Sequence, residues 1–150
     1  MKTMSKMIAV LVLGVLLGGV STPVYAEMAK HRVAIHVDEN DAARMNMALN
    51  NAANINKYYQ SKGETVEIEI VAYGPGLIMY SEEKSPVKSR IAAMGLEMSN
   101  LSFSACGNTH RKMSEKAGKN IKLVSEAQMV PSGVVRLIEL QEKGWAYVRP

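Results

Sequence analysis

The pattern of hydrophobic and polar residues switches repeatedly between two periods along this chain. In the segment HRVAIHV, residues 31–37, apolar side chains from Val33 onward recur at every second position, which is the period of a β-strand. The next segment, residues 38–63, repeats its apolar side chains at helical spacing. The same change recurs to the end of the chain and predicts five strands and four helices. The strands are predicted within HRVAIHV, TVEIEIVAYG, LSFSAC, IKLVSEAQMV and WAYVRP.

The predicted strands and helices alternate at short intervals, which is typical of βαβ units that build a parallel sheet. Five strands in about 120 residues predict a flavodoxin-like, doubly wound α/β domain. Its five-stranded sheet should be mainly parallel, with helices on both faces. In the second strand, Val66, Ile68 and Ile70 alternate with Glu67 and Glu69 on the opposite face.

Glycine, serine and proline predict where the helices begin and end. Gly63 and Gly118 are placed to end the first and third helices. Ser85 followed by Pro86 predicts the start of the second helix, and Gly95 predicts its end. The sequence YGPGL at the end of the second strand predicts a turn.

The amino terminus has the composition of a signal peptide. Two lysines precede the apolar run MIAVLVLGVLLGGV, which is short for a membrane span of about 20 residues. Val24 and Ala26 supply the small residues that a signal peptidase requires, so cleavage is predicted after Ala26. The prediction is a signal peptide at residues 1–26 and one domain at residues 27–150, periplasmic or secreted, with no stable membrane anchor after cleavage. An uncleaved anchor is the alternative.

Charge and cysteine content exclude two classes of protein. Without the signal peptide the chain would carry 16 basic and 14 acidic residues, and the basic ones are scattered without interleaved aromatic residues. This pattern does not predict a nucleic-acid partner. A chain with a single cysteine has no internal disulfide framework, so an ordinary core or contacts between subunits must hold it together.

The single cysteine, Cys106, is the best candidate for chemistry. It lies where the third strand gives way to a helix, at the edge of the sheet where ligands bind in doubly wound folds. The residues that follow, Gly107, Asn108 and Thr109, would present free amides at the positive end of a helix dipole, and both favour a thiolate. The alternative is that Cys106 is a small apolar residue that fills space at a strand end.

Two histidines and two glycines are candidates for supporting roles. His110 would lie one helical turn from the sulfur, and His36 at the end of the first strand would either approach Cys106 or form a structural hydrogen bond. Gly74 and Gly76 follow the second strand at the same edge, but GPGLIM lacks the third glycine of a dinucleotide-binding fingerprint. One cysteine and one histidine are too few ligands for a structural zinc site, so neither a metal nor a cofactor is predicted.

Three segments together resemble the DsrE/DsrF-like family, in particular its exported and largely uncharacterised branch. The segments are SACGNT, VAYGPGL and MVPSGVVRLIELQEKGWAYVRP, and the resemblance extends roughly from His31 to Pro150. It implies a flavodoxin-like fold that commonly assembles into trimers or hexamers. It also implies sulfur relay, since the better-studied branch carries sulfur as a persulfide on a cysteine at the end of a central strand. Cys106 is the residue that matches this position.

Two functions therefore stand as hypotheses, and the sequence does not decide whether the protein is an enzyme. The first is a persulfide carrier that exchanges sulfur with donor and acceptor proteins. The second is a non-catalytic module for small-ligand binding or oligomeric interaction, in which Cys106 is structural. In either case VPSGVVRLIEL and GWAYVRP are candidates for contacts in a homo-oligomer, unless Trp145 and Tyr147 simply complete the core.

Overall fold

The computed structural model describes residues 29–150, so the predicted signal peptide and its cleavage site lie outside the described residues. Strands and helices alternate along the described chain. The strands are β1 (His31–Val37), β2 (Val66–Ala72), β3 (Leu101–Cys106), β4 (Ala127–Val130) and β5 (Ala146–Val148). The helices are α1 (Ala42–Ser61), α2 (Lys88–Glu97), α3 (Gly107–Ala117) and α4 (Gly133–Glu142), with a 3₁₀ segment at Gly74–Tyr80.

The five strands form one parallel sheet in the order β4-β3-β2-β1-β5. The predicted class, an α/β fold with a five-stranded parallel sheet and helices on both faces, is confirmed. The first four strands are added in one direction from β1, and β5 then pairs with the other edge of β1. Helix α4 must therefore lead the chain back across the sheet from β4 to β5. This return places the amino terminus of α4 near the carboxyl ends of the central strands.

Apolar side chains pack on both faces of the sheet. The larger core lies beneath α1, α2 and the 3₁₀ segment, and its fully buried members include Ile35, Leu49, Ile70 and Phe103. A smaller core joins α4 to the opposite face, where Leu137 and Leu140 pack against Ala34 and Val71. No helix within residues 29–150 has the length and apolar character needed to cross a membrane.

Glu69 lies on the face that α4 covers, and it is only 3% exposed. Its two carboxylate oxygens accept hydrogen bonds from Nε and an Nη of Arg136, both at 2.7 Å. The Ser104 hydroxyl donates a third hydrogen bond, at 2.6 Å. These bonds connect α4 to β2 and β3, and they satisfy a carboxylate that would otherwise be buried without a partner.

The boundaries of α2 differ from the prediction. The helix begins at Lys88, later than the predicted start at Pro86. The Ser85 hydroxyl donates to the carbonyl of Met79 and accepts from the amide of Val87 at 3.3 Å, so it holds the turn before α2 and bonds to no residue of the helix. Gly95 lies within α2 and does not end it. The predicted end of α3 is correct, since Gly118 adopts the left-handed conformation there with a φ of 64°.

Candidate functional site

Cys106 is at once the last residue of β3 and the N-cap of α3. Its Sγ accepts a hydrogen bond from the amide of Thr109 at 3.4 Å, in the position that a serine or aspartate oxygen occupies at other helix starts. The turn is held against the β4–α4 connection, where the amide of Asn108 donates to the carbonyl of Pro131 at 3.2 Å. Gly107 permits this packing, since a Cβ there would lie 3.1 Å from the carbonyl oxygen of Val130.

A second helix begins beside the same sulfur. Gly133 is the first residue of α4, and its backbone amide faces Cys106. A Cβ at Gly133 would lie 2.9 Å from Cβ of Tyr73 and 3.1 Å from Cβ of Cys106, so only glycine allows α4 to begin so close to the sulfur. The positive ends of two helix dipoles, those of α3 and α4, therefore converge on one side chain.

This environment lowers the pKa of the Cys106 thiol below its ordinary value. Burial by itself acts in the opposite direction, because it disfavours the charged thiolate. Donor groups close to the sulfur outweigh that effect, chiefly the Thr109 hydroxyl and the backbone amides of Gly133 and Thr109. The site therefore favours a thiolate in a position that is only 4% exposed.

Gly74 and Gly76 act through the loop next to this site. The Gly74 amide donates to Oγ1 of Thr109 at 3.0 Å, which orients the Thr109 hydroxyl that favours the thiolate. Gly76 lies against the end of β1, where a Cβ would come within 2.8 Å of Cα of Asp38. Gly76 thus permits the 3₁₀ segment to approach the end of β1, whereas Gly74 is suited to its left-handed backbone, with a φ of 53°.

His36 is buried at the end of β1 and contacts two tyrosines, of which Tyr147 is 42% exposed. Its Nδ1 is 2.7 Å from Oη of Tyr147, and its ring stacks on Tyr73 with centroids 4.5 Å apart. Burial lowers the pKa of His36, the nearby Arg149 adds to this effect, and Asp38 opposes it, so the imidazole is neutral near pH 7. Tyr73 contacts His36 through its ring and the amino terminus of α4 through its Cβ.

The structure does not bring the three candidate side chains together. His110 binds the carbonyl oxygen of Ile121 through Nε2 at 2.7 Å, on the connection from α3 to β4. Within the described residues, no hydrogen bond joins His36 or His110 to Cys106, and Nε2 of His36 has no hydrogen-bond partner. Residues 29–150 contain no group of three or more His, Cys, Asp and Glu side chains placed to hold a metal ion.

Sequence reasoning missed Tyr73 and Gly133 as parts of the site. The available signal was the loop VPSG before the last helix, which lies at the correct edge of the sheet. A serine followed by a glycine at a helix start does not reveal which side chain the helix approaches. The role of Gly133 depends on the path of α4 back across the sheet.

The described chain is thus an α/β domain with one cysteine at a strand end, enclosed by two helix starts. The model of the DsrE/DsrF-like family matches residues 31–150, and the chain belongs to this family. A similar solved structure is that of a protein of unknown function from Methanobacterium thermoautotrophicum, with 30% identity and a TM-score of 0.65. The match covers 80% of this chain and 99% of that one. No curated protein matches the chain.

Proposed function

We propose that the protein carries sulfane sulfur, which Cys106 holds as a persulfide. The observation that supports this most strongly is the convergence of two helix amino termini on the single cysteine. Backbone amides and the Thr109 hydroxyl lower the pKa of its thiol despite burial. A structural cysteine needs no such environment, whereas a thiolate nucleophile does. Sulfur relay by better-studied members of the family agrees with this assignment.

Loading and release are two exchange reactions of the same kind. In loading, the Cys106 thiolate attacks the outer sulfur of a donor persulfide, R–S–SH, and a new S–S bond forms at Sγ. The S–S bond of the donor breaks, and the donor leaves as R–S⁻ with the bonding electron pair. In release, an acceptor thiolate attacks the outer sulfur and Cys106 leaves as a thiolate. Neither step needs an oxidant or a reductant.

The environment of the sulfur favours both steps. A lowered pKa increases the fraction of thiolate available for attack, and it makes Cys106 a better leaving group when the sulfur is passed on. The chain has no second cysteine, so donor and acceptor must be other molecules. In this proposal the carrier works in the periplasm or outside the cell, to which the predicted signal peptide would direct it.

Persulfide loading should depend entirely on Cys106. After incubation with glutathione persulfide and removal of excess reagent, we expect about one cyanolysable sulfur atom per chain, because the chain has one cysteine. The Cys106→Ser variant should carry none. His110→Ala is the matched control and should load normally, because its ring binds the Ile121 carbonyl. Cyanolysable sulfur that persists in Cys106→Ser would rule the proposal out.

A second function is favoured by one observation, the 4% exposure of Cys106. If the sulfur is fully enclosed, the protein is a non-catalytic ligand-binding or interaction module and the cysteine is structural. Alkylation distinguishes the two functions. A carrier should react with small iodoacetamide in the folded state, whereas an enclosed cysteine should react only after denaturation.

Homo-oligomer assembly is part of the proposal, and the outer face of α4 is its candidate contact surface. Val134, Val135 and Ile138 lie on this helix and are 48–50% exposed. Large apolar side chains grouped on one helix face are typical of surfaces that a partner covers. A second copy of the chain fits because such a face can pair with itself about a symmetry axis.

A charge on this face should dissociate the assembly. We expect Ile138→Lys to convert the oligomer into folded monomers, as measured by light scattering after size-exclusion chromatography. Leu96→Lys is the control, since Leu96 is 90% exposed on α2 and should tolerate the charge without dissociation. A monomeric native protein, or an Ile138→Lys variant that remains oligomeric, would contradict the assignment of this face.

A further inference from the structure

A groove lies between the 3₁₀ segment and α3, outside the sulfur site. Its volume is about 760 Å³, within the range of about 300–1,000 Å³ for small-molecule sites. Its apolar lining comes from both elements and from the connection after α3. The apolar residues are Pro75, Ile78, Met113, Ala117 and Ile121.

Four lysines line the same groove as these apolar residues. Lys84, Lys112, Lys116 and Lys119 line the groove, and Glu83 is the only acidic residue among its lining residues within 29–150. Lys119 pairs with Glu83 at 3.0 Å. The other three lysines form no ion pair within the described chain, so the groove has uncompensated positive charge.

The spacing along α3 explains why apolar and basic groups share this groove. The lining residues from α3 recur at intervals of three and four positions, which places them on one helix face. They are Thr109, Lys112, Met113, Lys116 and Ala117. A helix face that is simply solvated would have no cavity beside it. A purely apolar pocket would have no unpaired lysines along its lining. Their combination matches a ligand with an apolar body and a negative charge.

We propose that this groove binds a small organic anion, with its apolar body against Ile78 and Met113 and its acidic group near Lys112 and Lys116. A carboxylate, sulfonate or phosphate group would supply the negative partner for these unpaired lysines. Gly74 and Thr109 also line the groove. A bound ligand would therefore lie next to the hydroxyl that favours the Cys106 thiolate. Binding itself does not require the sulfur chemistry proposed above.

Titration with anilinonaphthalene sulfonate, a fluorescent apolar anion, tests the proposal on the folded protein. We expect one saturable site per chain, with an affinity that falls as salt is added. The Lys112→Gln/Lys116→Gln variant should bind about tenfold more weakly, since it loses two charge contacts from exposed lysines. Lys57→Gln/Lys143→Gln is the matched control and should bind normally, because these lysines do not line the groove. Circular dichroism and thermal melting would verify that both variants are folded.

Two further measurements make the result specific. Neutral phenylnaphthylamine, which lacks the sulfonate, should bind the native protein and Lys112→Gln/Lys116→Gln equally. Binding should be unchanged in Cys106→Ser, so this proposal and the persulfide proposal fail separately. Absence of saturable binding, or equal binding of the sulfonate by both lysine variants, would overturn the proposal. Binding that disappears as the protein oligomerises would show that a second copy covers the groove, and would overturn it as well.

Discussion

Replacing Arg136 with methionine should lower the free energy of unfolding by about 3 kcal/mol. The substitution keeps an unbranched side chain on α4 but leaves Glu69, which is 3% exposed, without its two hydrogen bonds from the guanidinium. A buried carboxylate that loses its charged partner retains the full cost of desolvation. Because a domain of this size is stable by about 5–15 kcal/mol, this loss is large and measurable by urea denaturation.

Two comparison variants separate the buried charge from a general effect of removing arginine. Arg111→Met breaks only an ion pair between exposed side chains, with Glu115, and should cost less than about 1 kcal/mol. The double variant Glu69→Leu/Arg136→Met removes both charges and should recover most of the loss, since no buried charge remains unpaired. If Arg136→Met is as stable as Arg111→Met, the buried ion pair does not have the role assigned to it.

Adding one methyl group at Gly133 should make Cys106 less reactive. In Gly133→Ala the new Cβ would lie 2.9–3.1 Å from Tyr73 and Cys106, so α4 must shift and its first amide must move away from the sulfur. Moving this amide away from the sulfur raises the pKa of the thiol. We expect iodoacetamide labelling at neutral pH to slow by about tenfold, as for the loss of one hydrogen bond to a charged group. The midpoint of the pH dependence should lie below about 8.5 in the native protein and higher in the variant.

The Gly133→Ala substitution should also alter how the free energy of unfolding depends on pH. In the native protein the folded-state pKa of Cys106 is lowered, so the thiolate contributes stability that is fully present above the unfolded-state pKa and is lost as pH falls through the folded-state pKa. Gly133→Ala should reduce this contribution. Gly95→Ala is the control, because its Cβ would meet only the flexible side chain of Glu126 and phenyl carbon Cε2 of Phe103, away from the sulfur. An unchanged labelling profile in Gly133→Ala would show that α4 does not set the pKa of Cys106.

The sequence predicted the order and type of most elements because these depend on local periodicity. The alternation in LSFSAC and the glycine at position 118 were sufficient to place β3 and the end of α3. The predicted start of α2 was wrong, since the Ser85 oxygen accepts from the Val87 amide in a turn, and the helix begins only after that turn, at Lys88. Serine oxygens accept backbone amides in turns as well as at helix starts, so a serine and a proline alone do not distinguish the two.

The candidate site was predicted in position but not in its contacts. Cys106 at a strand end, followed by free amides, was visible in the sequence, and the hydrogen bond from the Thr109 amide agrees with it. His110 was expected near the sulfur from helical spacing alone. Spacing gives the distance along a helix, whereas the direction of the ring was decided by the Ile121 carbonyl on a different segment.

The sequence by itself determined the α/β class, the family and the location of the only cysteine at the edge where such folds bind ligands. The tertiary structure decided the strand order, the burial of Glu69 and the approach of Gly133 to the sulfur. The reason is that periodicity records which side of each element is buried, but not what covers it. Helix α4 returns across the sheet to reach β5. On this path Arg136 reaches Glu69 and forms an ion pair with it. The first residue of α4, Gly133, comes to lie beside the Cys106 thiol.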